Sequence, residues 1–421
     1  MAIFKIKGPV ADTVTGTVGE DRLIYTLVSG PGGVTLTAPT DNATSGFDGT
    51  FQTVGGIDTA FTGIEHFSFT DKVGGDDDIT GADGDDDLNG RGGRDVLVGG
   101  AGFDTLRGGA KGDWLYGGDD GDLIEGGSGK DRLWGEDGHD SLFGDAGNDW
   151  ISGGAGNDYI DGGAGDDTIF GGGGDDMIFS DSGNDVIKSG IGDDVIELIF
   201  DGIKTVDGGE GVDTLIVDFT NETAWGMVNF AMLTGDLDGA GSLDYTSSTA
   251  TNIENFTFIG TTMVGVKGTG AANIISGGSG GDSLRGFRGK DTIYGNDGAD
   301  RLYGGPGADK LYGGDGSDFL YGNEDSDYMK GGTGDDFLDG GDGADIFVIT
   351  AGSDIIDDFE DDIDTIRISA NMLAEGTTVD DLLDGAEISG NSILLHLNDA
   401  ETLLIKYTTD IAALGDDIII F

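Results

Sequence analysis

Along most of the chain a large aliphatic residue returns at every ninth position, and two places before it stands an aspartate. Counted in nines from Lys72, the eighth place reads Ile79, Leu88, Leu97, Leu106, Leu115, Ile124, Leu133, Leu142, Ile151, Ile160, Ile169, Ile178, Ile187 and Ile196. The sixth place reads Asp77, Asp86, Asp95, Asp104, Asp113, Asp122, Asp131, Asp140, Asp149, Asp158, Asp167, Asp176, Asp185 and Asp194. An isolated further repeat carries Asp213 and Leu215. A second array places Asn273, Asp282, Asp291, Asp300, Asp309, Asp318, Asp327, Asp336, Asp345 and Asp354 in the sixth column, with Ile275 to Ile356 in the eighth. The last three residues of each repeat predict a short strand, with Leu133 facing away from Arg132 and Trp134. Two repeats then make one turn of about eighteen residues, and stacked turns bury the aliphatic column as a narrow core.

Three segments fall outside this period. Residues 1–71 alternate like strands and form an N-terminal β-rich segment before the first array at 72–216. Residues 217–263 interrupt the arrays, the second array occupies 264–356, and 357–421 closes the chain. The first two segments look related: Asp21-Arg22-Leu23-Ile24 echoes Asp213-Thr214-Leu215-Ile216, and Ile64-Glu65-His66-Phe67-Ser68-Phe69 echoes Ile253-Glu254-Asn255-Phe256-Thr257-Phe258. A duplicated unit, β-segment followed by roll, is expected. The phase change between Glu197 and Gly208 is expected to break the first roll locally.

Composition turns the pattern into chemistry. Asp and Glu number 81 against 21 Lys and Arg, a formal net charge of −60. Such a charge repels the phosphate backbone and excludes ordinary nucleic-acid binding. It leaves either a disordered acidic polymer or a fold that recruits cations. With no Cys and only three scattered His, thiolate and zinc sites are excluded. No apolar run has the length of about 18 residues that a membrane span needs. The opening Met1-Ala2-Ile3-Phe4-Lys5-Ile6-Lys7 has neither the apolar stretch nor the cleavage site of a secretory signal, so export by another route is expected.

One repeat, Gly126-Gly127-Ser128-Gly129-Lys130-Asp131-Arg132-Leu133-Trp134, shows what cation the loops suit. Its glycines permit a tight turn with converging carbonyls, and Asp131 adds a carboxylate. Ca²⁺ takes six to eight such oxygens, whereas Mg²⁺ prefers a stricter octahedron and keeps its waters. The sixth-column aspartates, from Asp77 to Asp213 and from Asp282 to Asp345, are therefore the candidate ligands. About twenty Ca²⁺ would cancel roughly 40 negative charges at two per ion, and folding is expected to depend on them.

These repeats resemble the GGxGxDxUx nonapeptide of the repeats-in-toxin (RTX, hemolysin-type) calcium-binding family over roughly residues 72–216 and 268–356. The resemblance implies an all-β fold of two parallel β-roll solenoids with flanking β-rich segments, an ion sitting between loops on successive turns. Lys111, Asp120 and Asp325 replace the fourth-position Gly and Asn273 replaces an Asp, so weaker or empty sites are expected there. The C-terminus is similar to the family's serralysin-like terminal region. That likeness rests on Gly343-Ala344-Asp345-Ile346-Phe347-Val348-Ile349, Asp364-Thr365-Ile366-Arg367-Ile368-Ser369, a short helix near Val379–Leu383, two strands and the acidic-hydrophobic ending Asp416-Asp417-Ile418-Ile419-Ile420-Phe421. It implies a type I secretion signal and the secretion machinery as a partner, with Asp362 standing where relatives carry Gly.

No HExxH and no P-loop is present, and Gly277-Gly278-Ser279-Gly280-Gly281 fits GxSxG only as the first five positions of a repeat. No enzyme activity is expected. The expectation is a secreted, extracellular calcium-binding protein with a structural, adhesive or surface-layer role. The alternative is a polysaccharide-binding module or a carbohydrate-active enzyme built on the roll surface. Sorting outward positions by parity puts Trp114, Tyr116, Trp134 and Trp150 on one face, to be covered by a neighbouring β-segment of the same chain or else by self-assembly or an extracellular glycan.

Overall fold

A computed structural model describes residues 76–199, 202–218, 252–261 and 263–421, apart from positions 77, 82, 83, 399, 409 and 412. Of residues 1–75 and 219–251 it describes only the backbone of short strands. The chain divides into two compact units, Met1–Asp213 and Thr214–Phe421.

In the first unit the repeats alternate between two parallel stacks. Strands Val96–Ala101, Trp114–Asp119, Arg132–Asp137, Trp150–Ala155, Thr168–Gly173 and Val186–Ile191 each pair with the next, eighteen residues on, as in Leu97↔Leu115 and Leu133↔Ile151. The intervening strands, Asp87–Gly92 to Val195–Ile199, pair likewise. These are six-residue strands for the most part, longer than the three residues expected, because each runs on into the glycines opening the next repeat. A glycine with no side chain lets the neighbouring turn's backbone approach closely enough to pair. Every eighth-column residue from Ile79 to Ile196 has no exposed surface, while its two neighbours face outward.

The roll is not broken where the phase changes. Strand Thr205–Glu210 pairs with Val186–Ile191 through Ile187↔Val206, a step of nineteen residues in place of eighteen. The extra residue is absorbed before the strand, and Val206 keeps the core column filled at 1% exposure.

The second unit is built the same way. Thr292–Asp297, Lys310–Asp315, Tyr328–Thr333 and Ile346–Ile349 form one parallel stack, which Thr365–Ile368 and Ile418–Ile420 extend. Ser283–Arg285, Arg301–Pro306, Phe319–Glu324, Phe337–Asp342 and Asp354–Ile356 form the other, extended by Thr402–Lys406. The last strand leads antiparallel to Ser392–His396 and then to Glu387–Ser389. Among the described residues a single α-helix, Val379–Asp384, lies where the sequence predicts one, its start set by a Thr378–Asp381 capping box. In backbone, Leu23 lies opposite Phe67, and Leu215 opposite Phe256. The fold is all-β, and the strands of the repeats pair in parallel.

Candidate metal centres

Each described aspartate of the sixth column from Asp86 to Asp345 sits just before its strand, and in most of them the two carboxylate oxygens have different surroundings. Oδ1 accepts the backbone N–H of the aspartate one turn earlier: Asp113 N–H to Asp131 Oδ1 at 2.7 Å, Asp131 N–H to Asp149 Oδ1 at 2.7 Å, Asp300 N–H to Asp318 Oδ1 at 2.8 Å. The carboxylates thus form a ladder along each edge, and none of the described column aspartates named above is more than 3% exposed.

Oδ2 is different. In Asp104, Asp113, Asp122, Asp131, Asp140, Asp149, Asp158, Asp167 and Asp176, and in Asp291, Asp300, Asp309, Asp318, Asp327, Asp336 and Asp345, it is buried with no hydrogen-bond donor. It lies against the first-position glycine of its own repeat, beside a carbonyl of the next turn. A Cβ placed on Gly135 would stand 2.3 Å from Asp140 Oδ2 and 2.5 Å from the Gly153 carbonyl oxygen. Two acceptors crowded together out of water need a cation or a proton between them. The carboxyls register this cost. Burial pushes Asp104 up to about 9, with Asp86 adding repulsion, and pushes Asp113, Asp122, Asp149 and Asp309 up to about 7. The N–H ladder pulls the other way and does not offset burial. Hard oxygen donors, carboxylate and carbonyl, in a glycine-rich loop fit Ca²⁺.

The departures resolve in different ways. Lys111, Asp120 and Asp325 keep the left-handed backbone of the glycine they replace, with φ of 80°, 75° and 74°. Their loops retain the orphaned oxygen of Asp113, Asp122 and Asp327. Asn273 instead satisfies its own loop, its Oδ1 accepting from Thr269 N–H at 2.6 Å and its Nδ2 donating to the Glu254 carbonyl at 2.9 Å. Asp282 also has a donor for each oxygen, Val264 N–H at 2.8 Å and Gly278 N–H at 2.9 Å. Asp185 is paired by the ammonium of Lys204. Asp282 and Asp185 thus differ from most of the described column aspartates in having a partner for Oδ2. Asp86, Asp95, Asp194 and Asp213 are buried in the same columns, and Asp77 lies outside the described residues.

Two features escaped the sequence pattern. Fifth-position side chains form a second, outer ladder: Asp166 Oδ1 accepts from Asn184 N–H at 2.9 Å, Asn157 Oδ1 from Asp175 N–H at 3.0 Å, and His139 Nδ1 from Asn157 N–H at 2.6 Å. The mixture of Asp, Asn and His there hides a shared acceptor role. Asp364 also continues the inner ladder by accepting from Asp345 N–H at 2.9 Å, nineteen residues back and so out of phase.

The outer face predicted from parity exists. Trp134 stacks on Tyr116 at 4.3 Å and meets Trp114 at 6.4 Å and Trp150 at 5.0 Å, with Phe170 beyond Trp150 at 5.5 Å. Trp114 is 44% exposed. Among the described residues, no helix is long and apolar enough to cross a membrane.

No curated protein matches the chain. Among solved structures, the chain is similar to the extracellular lipase LipA from Serratia marcescens, with 18% identity and a TM-score of 0.25, over 66% of this chain and 45% of the lipase chain. The chain thus spans less than half the length of that lipase. The pattern of the RTX calcium-binding nonapeptide repeat matches residues 73–106, 98–133, 107–142, 134–169, 170–197, 267–302, 294–329 and 321–356, together just over half of the sequence. With its aspartate ladders and glycine turns in that family's order, the chain belongs to the RTX calcium-binding nonapeptide repeat proteins.

Proposed function

We propose that this is an extracellular protein that folds as Ca²⁺ fills its aspartate columns, and that its role is structural or adhesive, as in a surface layer, rather than catalytic. The observation that carries this reading is the row of buried Oδ2 atoms with no donor. Asp104 to Asp176 and Asp291 to Asp345 would hold the ions together with backbone carbonyls of the glycine turns. The ions supply positive charge where none of the chain's own donors reaches. Roughly twenty ions are expected, each taking up hard oxygen ligands. In a calcium-poor cytosol the columns stay ionised and repel, so the chain remains unfolded and can thread an export channel; outside, millimolar calcium folds it. The segment from about Ile366 onward serves as the type I secretion signal. Calcium titration followed by circular dichroism and by counting bound ions tests the first claim. Saturation near one or two ions per chain, or none, would refute it.

A second reading has its own observation, the half-exposed ribbon of Trp114, Tyr116, Trp134 and Trp150. Flat rings along one sheet suit the faces of sugar rings, so a polysaccharide lying along the roll is the alternative partner. Glycan arrays in millimolar calcium test it, and the absence of any bound glycan rejects it.

A further inference from the structure

Lys204 is fully buried, with no exposed surface on its side chain. The register Val186↔Thr205 puts it one turn beyond Asp185, at the place where the column of Asp131, Asp149, Asp167 and Asp185 would continue. Its Nζ pairs with Asp185 Oδ2, donates to the Asp181 carbonyl, and reaches Ser180 Oγ at 3.2 Å. Three oxygens of one loop, a carboxylate, a carbonyl and a hydroxyl, converge on this ammonium. In the preceding loops of the same column the equivalent Oδ2 of Asp131, Asp149 and Asp167 has no donor at all.

We propose that the Lys204 ammonium is a tethered cation occupying the calcium position of the Asp185 loop. This rests on the calcium reading of the columns. The loop takes no metal, and the C-terminal end of the first unit's column is neutralised whatever the calcium concentration. An ammonium on the chain needs no recruitment from solution, so this end pairs before the metal-dependent turns and seeds them.

The test is hydrogen exchange on the full chain across a calcium titration, comparing wild type with Lys204→Met and Lys204→Arg. In wild type, peptides covering 180–191 and 205–210 should gain protection at lower calcium than those covering 113–137. Lys204→Met should lose that lead, with protection at low calcium falling on the order of a hundredfold or more, as expected when one partner of a buried ion pair is removed. Lys204→Arg should keep most of it. If the wild-type peptides order together, or Lys204→Met keeps the lead, the proposal falls while the calcium reading stands. The wild-type comparison decides the ordering even if Lys204→Met does not fold. A chain fully protected throughout in excess chelator overturns the calcium reading itself, and the proposal with it.

Discussion

Gly135 and Gly173 make a matched pair of substitutions. A methyl on Gly135 would collide with the Asp140 carboxylate and the Gly153 carbonyl, whereas one on Gly173 meets nothing within 4 Å. Gly135→Ala should therefore destabilise the calcium-bound protein by about 1–3 kcal/mol through overpacking, and Gly173→Ala should leave it nearly unchanged. Thermal melts in saturating calcium measure both, and equal melting temperatures would contradict the cradle geometry. The carboxyls above the glycines make a pH prediction. Asp113, Asp122 and Asp149 ionise at about 7 in the fold against an ordinary 3.8. The folded chain then holds protons that the unfolded chain releases, so in the absence of calcium stability falls as pH rises from 3.8 to about 7. In chelator, β signal should grow on acidification with a midpoint above that of ordinary surface carboxyls. A signal flat from neutral pH down to the surface-carboxyl range would exclude the buried columns as its cause. Calcium replaces the proton and should restore the fold at neutral pH.

Strands here depend on their neighbours one turn away. Leu133 contributes no exposed surface and pairs in register with Leu115 and Ile151, so Leu133→Ala should cost about 2–5 kcal/mol, read from the same melts. A loss below ~1 kcal/mol would mean that the column is not closely packed. On the outer side, the aromatic ribbon packs ring on ring across Trp114–Asp119, Arg132–Asp137 and Trp150–Ala155. Cross-strand aromatic contacts of this kind stabilise by about 0.5–1.5 kcal/mol beyond burial. Trp134→Ser, which removes the central ring, should lower stability measurably. Trp114→Ser, at the exposed end of the ribbon, should weaken any glycan binding or self-assembly with little loss of stability. Unchanged binding and assembly in Trp114→Ser would remove the ribbon as a partner surface.

At the scale of the whole molecule, a net charge of −60 is the quantity that calcium has to answer. Excess chelator at neutral pH should leave a largely disordered chain, and millimolar calcium should raise the β signal in both units. A fully folded spectrum in chelator would defeat the proposed folding switch. The terminal strands give the export proposal a specific form. Ile418–Ile420 pairs with Thr365–Ile368, and Thr402–Lys406 with Asp354–Ile356, so the same tail closes the second unit's two stacks once folded. Deleting the chain from Ile366 should trap protein inside the native host. Undiminished secretion would show that the signal lies elsewhere.

The periodic core and the aspartate columns were legible in the sequence because the same contact recurs at a constant spacing, and repetition writes each role as a residue type. The short C-terminal helix was expected from the likeness of the C-terminus to the family's terminal region, and a capping box fixes where it starts. The extra residue before Thr205 was misread as a break, since only the paired backbone shows that a nineteen-residue step still brings Val206 over Ile187. Lys204 gave no signal, because it lies in the stretch expected to break the roll, and its meaning depends on Asp185 one turn away. The fifth-position ladder was hidden because Asp, Asn and His accept the same N–H while looking unlike one another in sequence. What a side chain is follows from its place in the repeat. What it faces is decided by stacking, which brings together residues eighteen or nineteen apart and leaves one carboxylate oxygen of most described repeats buried beside a carbonyl, in need of a cation or a proton.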